Sequence, residues 1–128
     1  MYKKAMVIDD NAIDLVIARR VINNFKFAAE VVTMGSAKEA LTYIQENADN
    51  SLPDIIFLDI NMPEINGFEF LQSFDKFPKK LKNACKIVML STSIHPDERQ
   101  KANNDPNVGY FLNKPLSEEK LKEVVTAL

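Results

Sequence analysis

The sequence predicts an α/β fold, a five-stranded parallel sheet doubly wound by helices into a three-layer (βα)5 sandwich. Three observations predict it. Apolar runs alternate with amphipathic stretches five times along the 128 residues, as repeated βα units require. The apolar runs are short, rich in Val and Ile, and apolar at consecutive positions, which marks strands buried on both faces of a parallel sheet. The connections between runs are short, so each helix packs back over a neighbouring strand.

The first strand is expected at Ala5–Ile8, with a helix over Ala12–Asn24. The second strand, Ala29–Met34, stops at Gly35, and Ser36 then caps a helix over Ala37–Asn47. The third strand is Ile55–Leu58, and the Asn66-Gly67 turn leads into a helix at Phe68–Asp75. After the fourth strand, Lys86–Leu90, Pro96 opens a helix over Pro96–Asn103, a residue suited to a first helical turn. Pro106-Asn107 precedes the fifth strand, Val108–Leu112. Ser117 caps the last helix, Glu118–Leu128, and Glu118 and Glu119 suit its positive end. No internal repeat or Gly/Ser-rich linker divides the chain, and residues 1–128 are expected to form one domain.

Composition narrows the function classes. A formal net charge of −2 argues against direct nucleic-acid binding, which favours a strongly basic domain. The single cysteine, Cys85, leaves no internal disulfide and no multi-cysteine zinc site. Cys85 opens an apolar run and is expected to be a buried hydrophobe. The one histidine, His95, lies in a polar loop and is expected at the surface. No signal-peptide pattern or membrane-length apolar run is present, so a cytoplasmic domain is expected.

In a parallel sheet, functional groups collect outside the carboxyl ends of the strands. The first strand ends on Ile8-Asp9-Asp10 and the third on Leu58-Asp59, so three carboxylates come to one rim. Each Asp alone reads as an ordinary loop-initiating residue. Three together repel, which raises a pKa or recruits a cation, and oxygen ligands of this kind suit Mg²⁺. The fourth strand runs into Ser91-Thr92-Ser93 and the fifth into Asn113-Lys114-Pro115. A hydroxyl and an ammonium thereby join the rim. Phosphoryl transfer needs these parts: charge neutralisation around the equatorial oxygens and an in-line nucleophile, here a carboxylate able to form an aspartyl phosphate.

These residues resemble the receiver domain of two-component response regulators, over essentially the whole chain. The resemblance rests on Asp9-Asp10, on Asp59-Ile60-Asn61-Met62-Pro63 with Gly67, on Leu90-Ser91 and on Lys114-Pro115, all in order. It implies a flavodoxin-like sandwich and a stand-alone receiver of the chemotaxis-regulator kind. Asp59 would be the phosphoacceptor in a reaction that needs Mg²⁺, with Mn²⁺ as a substitute. Asp10, Asp59 and the backbone carbonyl of Asn61 would hold the ion, Asp9 mostly through water. Lys114 would pair with Asp59 and later with the phosphoryl group, and the Lys114-Pro115 bond would be cis. Ser91 would hydrogen-bond the phosphoryl group, and Phe111 would rotate inward as Ser91 moves. The surface of the fourth helix, fifth strand and fifth helix would then change. Thr92 stands where the family often has Ala, a bulkier group beside the phosphoryl site. Asn61 and Ser93 occupy the positions that tune dephosphorylation in the family. The chain would catalyse only its own phosphorylation and dephosphorylation.

The first helix holds more apolar residues than one buried face absorbs. Ile13 and Val16 are therefore candidates for docking a phosphodonor, a histidine kinase or a histidine phosphotransfer protein; burial on two sides is the alternative. The helix over Pro96–Asn103 is almost wholly polar, with Ala102 its main apolar residue, which makes an apolar dimer face there unexpected. A monomer is expected, with an unknown downstream protein as target and neither nucleic acid nor membrane as partner. The competing class is a pseudo-receiver, a protein-interaction module that does not use phosphorylation. An FMN-binding protein would want a Gly-rich phosphate loop where Asp9-Asp10-Asn11-Ala12 stands. A phosphatase with an Asp nucleophile would want a second Asp at Asn61.

Overall fold

The computed structural model describes residues 2–49, 51–93 and 95–128. It contains β1 (Tyr2–Ile8), α1 (Ala12–Asn24), β2 (Ala28–Met34), α2 (Ala37–Glu46), β3 (Ile55–Asp59), α3 (Gly67–Phe74) and α4 (Lys79–Ala84). There follow β4 (Lys86–Ser91), α5 (Pro96–Asn103), β5 (Val108–Asn113) and α6 (Glu118–Ala127). All strand pairs are parallel and the sheet order is β2-β1-β3-β4-β5. The expected fold class is the observed one.

Alternation along each strand sends side chains to two separate cores. On one face Met6, Ile8, Ile56, Leu58, Ile87 and Met89 pack with Ile44 of α2, Phe70 and Phe74 of α3, Leu81 of α4 and Ala102 of α5. On the other, Val7, Ile55, Phe57, Val88 and Leu90 pack with Ala18 and Ile22 of α1 and with Leu121 and Val124 of α6. Burying each large side chain contributes about 1.5–3 kcal/mol, so this two-faced core outweighs the local helix and strand preferences.

The differences from expectation have local causes. Strands extend past their most apolar residues because the ladder continues; Tyr2, for instance, pairs in register with Ala28. The helix expected at Phe68–Asp75 starts one residue earlier. Asn66 caps it in a reciprocal box with Glu69, and Gly67 tucks beneath the preceding loop. The short helix α4 is not foreseen by the sequence reading. It has six residues, a Pro78 cap without a side-chain bond, and only Leu81 buried, too little periodicity to detect. The helix over Pro96–Asn103 is therefore the fifth and the final helix the sixth.

Candidate functional site

The sheet order reverses direction at β1, whose sequence neighbour β2 lies on one side and β3 on the other. This is the topological switch point, where ligands bind such sheets. Ile8 pairs with Leu58, so the next residues, Asp9 and Asp59, leave the two adjacent strands side by side. One carboxylate oxygen from each of Asp9, Asp10 and Asp59 lies within 4.8 Å of the others. Asp9 and Asp59 are buried and Asp10 is exposed. Asp9 is fixed by its own backbone, whose N–H donates to the Met34 carbonyl at 3.0 Å. Its Oδ1 accepts the Asn11 N–H at 2.9 Å. Asn11 in turn caps α1, accepting the N–H groups of Ile13 and Asp14.

Lys114 reaches this cluster from the end of β5, on the far side of β4. Its backbone N–H donates to the Ser91 carbonyl at 2.8 Å, and the Lys114-Pro115 bond is cis. The Lys114 Nζ lies 2.6 Å from Asp9 Oδ2, 2.9 Å from Asp14 Oδ2 and 3.2 Å from Asp59 Oδ1. The expected pair with Asp59 is therefore present but is the longest of three. Sequence reasoning missed Asp14. An acid in the first turn of α1 reads as ordinary helix-dipole complementation, and only the packing of α1 on the sheet turns it toward Lys114.

The electrostatics follow from burial and crowding. Burial foremost, then the Asp9 charge, pushes the Asp59 carboxyl up from 3.8 to about 6, against the opposing pull of Lys114 and the Asn61 N–H. Burial pulls the Lys114 ammonium down, but its bonds to Asp9 and Asp14 and the charge of Asp59 outweigh this and hold it above its ordinary value. Asp9, Asp14 and Asp59 thus share one ammonium, and Asp10 adds a further carboxylate beside Asp9 and Asp59. An all-oxygen donor set with this excess of negative charge fits a hard divalent cation.

Ser91 ends β4 and is fully buried. Its Oγ accepts the Ser93 N–H at 2.9 Å, and its hydroxyl donates to Glu98 Oε1 at 2.7 Å. Glu98 is a second residue missed by sequence reasoning, which read this stretch only as an almost wholly polar helix. Asn113 Nδ2 donates to the Ser93 carbonyl at 2.8 Å, joining the β4–α5 loop to β5. Thr92 is exposed and Ser93 half-buried. The resemblance has Phe111 turning inward on activation. Here the ring is already in the core, 6% exposed, with the Arg99 guanidinium 5.6 Å from its centroid.

The remaining candidates divide plainly. Asn61 is exposed beside Asp59. Ile13 and Val16 are 69% and 56% exposed, so α1 is not buried on two sides. His95 is exposed, and its backbone N–H donates to Ser93 Oγ at 3.0 Å. Cys85 is buried, as expected. Among the described residues no helix is long and apolar enough to cross a membrane.

Comparison with known proteins gives one consistent answer. Residues 5–126 match the model of the response regulator receiver domain. The probable methanogenesis regulatory protein FilR2 of Methanothrix harundinacea is 30% identical over 122 residues, which are 94% of this chain and 77% of that protein. Hybrid signal transduction histidine kinase L of Dictyostelium discoideum is 29% identical over 122 residues, 95% of this chain but only 7% of that protein. Among solved structures, a two-component response regulator from Cytophaga hutchinsonii superposes with a TM-score of 0.91 at 29% identity. That match covers 98% of this chain and 95% of the other.

Proposed function

Since the chain belongs to the response regulator receiver domain family, we propose that it is a phosphoacceptor signalling protein modified at Asp59. The observation that carries this reading is the burial of Asp59 between Asp9 and Lys114 at the switch point of the sheet. A carboxyl with a pKa of about 6 is more basic than an ordinary Asp yet mostly ionised at neutral pH, the combination a nucleophile needs. A carboxylate oxygen of Asp59 attacks the phosphorus of a phosphohistidine. The P–N bond breaks, its electron pair stays on the imidazole nitrogen, which takes up a proton, and an aspartyl phosphate forms. Attack of water on phosphorus later releases inorganic phosphate and restores the carboxylate. Asp10, Asp59, the Asn61 carbonyl and, through water, Asp9 would hold Mg²⁺ or Mn²⁺, which supplies charge neutralisation for the phosphoryl oxygens. Lys114 supports the same charge from the opposite side.

The phosphoryl group adds roughly −1.5 to −2 charges. Ser91 and Lys114 are the groups able to answer it, and their backbones are already linked through the Lys114 N–H. Movement of Ser91 reaches α5, β5 and α6, the surface that a downstream protein reads. Phe111 follows Ser91 by repacking within the core rather than by entering it. The donor is a histidine kinase or histidine phosphotransfer protein docking on Ile13 and Val16. A cytoplasmic, monomeric messenger that contacts neither nucleic acid nor membrane completes the reading.

The test is incubation with acetyl phosphate and Mg²⁺, followed by mass measurement. The expected gain is one phosphoryl group, stable in acid, lost in base and absent in Asp59→Asn. No Asp59-dependent gain from either acetyl phosphate or a cognate kinase would overturn the reading in favour of a phosphorylation-independent interaction module. Polar substitution of both Ile13 and Val16 is expected to slow transfer from the cognate donor and to leave acetyl phosphate labelling unchanged.

A further inference from the structure

Ser91 already has a strong partner before any phosphoryl group arrives. Its hydroxyl donates to Glu98 Oε1 at 2.7 Å while its oxygen accepts the Ser93 N–H at 2.9 Å. A hydroxyl carries one proton, so Ser91 cannot donate to Glu98 and to a phosphoryl oxygen together. A carboxylate acceptor makes the existing bond a charge-assisted one, and Ser91 is fully buried, where water competes poorly for it.

Glu98 is free to reach Ser91 because of how α5 begins. It is the third residue of a helix opened by Pro96, where an acid commonly turns back to the N-cap N–H. Here that N–H, from His95, donates instead to Ser93 Oγ at 3.0 Å. The next residue, Arg99, covers the ring of Phe111. The first turn of α5 therefore engages both residues through which the signal is read to leave. Elsewhere α5 is lightly anchored, with Ala102 its one buried residue.

We propose that Glu98 is a latch, a positioning residue that holds the Ser91 hydroxyl away from the phosphoacceptor until a phosphoryl group displaces it. The exchange frees Glu98, half-buried in the latched state, to turn outward, and it loosens the first turn of α5. Phosphorylation and exposure of the α5 surface become one equilibrium. The inference rests on the phosphoacceptor reading of Asp59 and names the regulation of that site.

Beryllofluoride, a phosphoryl mimic that adds to carboxylates, tests it by titration with Mg²⁺ against the intact protein. Glu98→Ala is expected to bind about tenfold more tightly than the wild type, the weight of one hydrogen bond to a charged group. Glu98→Gln, whose amide oxygen still accepts, is expected to fall between. In a Ser91→Ala background the Glu98→Ala change is expected to have no effect. Binding that Asp59→Asn abolishes but Glu98→Ala leaves unchanged overturns the latch and leaves the phosphoacceptor reading standing. An equal gain with and without Ser91 also overturns it, since the effect would then be mere charge removal. Absence of Asp59-dependent binding in every variant defeats both readings.

Discussion

Asp59 holds its proton in the folded protein up to a pH of about 6, but in the unfolded chain only to about 3.8. Between those values the folded state binds more protons, so stability falls as pH rises through the window, by at most about 3 kcal/mol. In metal-free buffer at pH 7, Asp59→Asn is expected to be about 1–3 kcal/mol more stable than the wild type in urea melts. The gap is expected to close by pH 4; a gap independent of pH would contradict the assigned cause. Asp14 makes a different prediction. It is about one-third exposed and shares Lys114 with Asp9 and Asp59, so Asp14→Asn is expected to change stability by no more than about 1 kcal/mol. Removing one negative charge from the cluster is expected to weaken Mg²⁺ binding about two- to fivefold by calorimetric titration. Unchanged affinity would place Asp14 outside the field of the site. Both residues act through neighbours brought by other strands and helices.

At the scale of elements, the loop from β3 to α3 fixes the phosphoacceptor, and Gly67 is its tightest point. A Cβ there would lie 2.7 Å from the Asp59 carbonyl oxygen and 2.8 Å from the Ile60 Cα. Both are backbone atoms, and the Gly67 N–H donates to the Ile60 carbonyl at 2.8 Å. Gly67→Ala is expected to cost about 1–3 kcal/mol by denaturant melt and to slow Asp59 labelling, because the displaced backbone is that of Asp59 itself. Wild-type labelling in a destabilised variant would separate the two effects and reject the second. α1 shows why element-level reading works unevenly. Its surplus of apolar residues is plain in the sequence, and three of them, Ile13, Val16 and Ile17, remain exposed. α4 shows the opposite case, since six residues with one buried Leu leave no period to read.

For the whole molecule, Cys85 reports on cooperative opening. It is buried, and burial foremost, with the charge of Asp54 second, pushes its thiol up to about 12. Labelling by a thiol reagent at pH 8 is expected to be at least about a thousandfold slower than in the urea-unfolded chain. A rate near that of the unfolded chain would mean that this part of the core opens locally. The sheet, its parallel sense and the rim occupied by Asp9, Asp10, Asp59, Ser91 and Lys114 were legible in the sequence alone. Strand periodicity and chain direction are local properties, and the rim follows from where each apolar run ends. The partners of those residues were not legible. Lys114 meets Asp9 across 105 residues and Asp14 across 100, and Ser91 meets Glu98 only because α5 packs over β5. Such pairs depend on the angle and depth at which a helix settles on the sheet, a balance of many small packing terms that no run of residues encodes by itself. Sequence determined which groups stand at the rim; tertiary packing decided that Lys114 is shared with Asp14 and that Ser91 is held by Glu98.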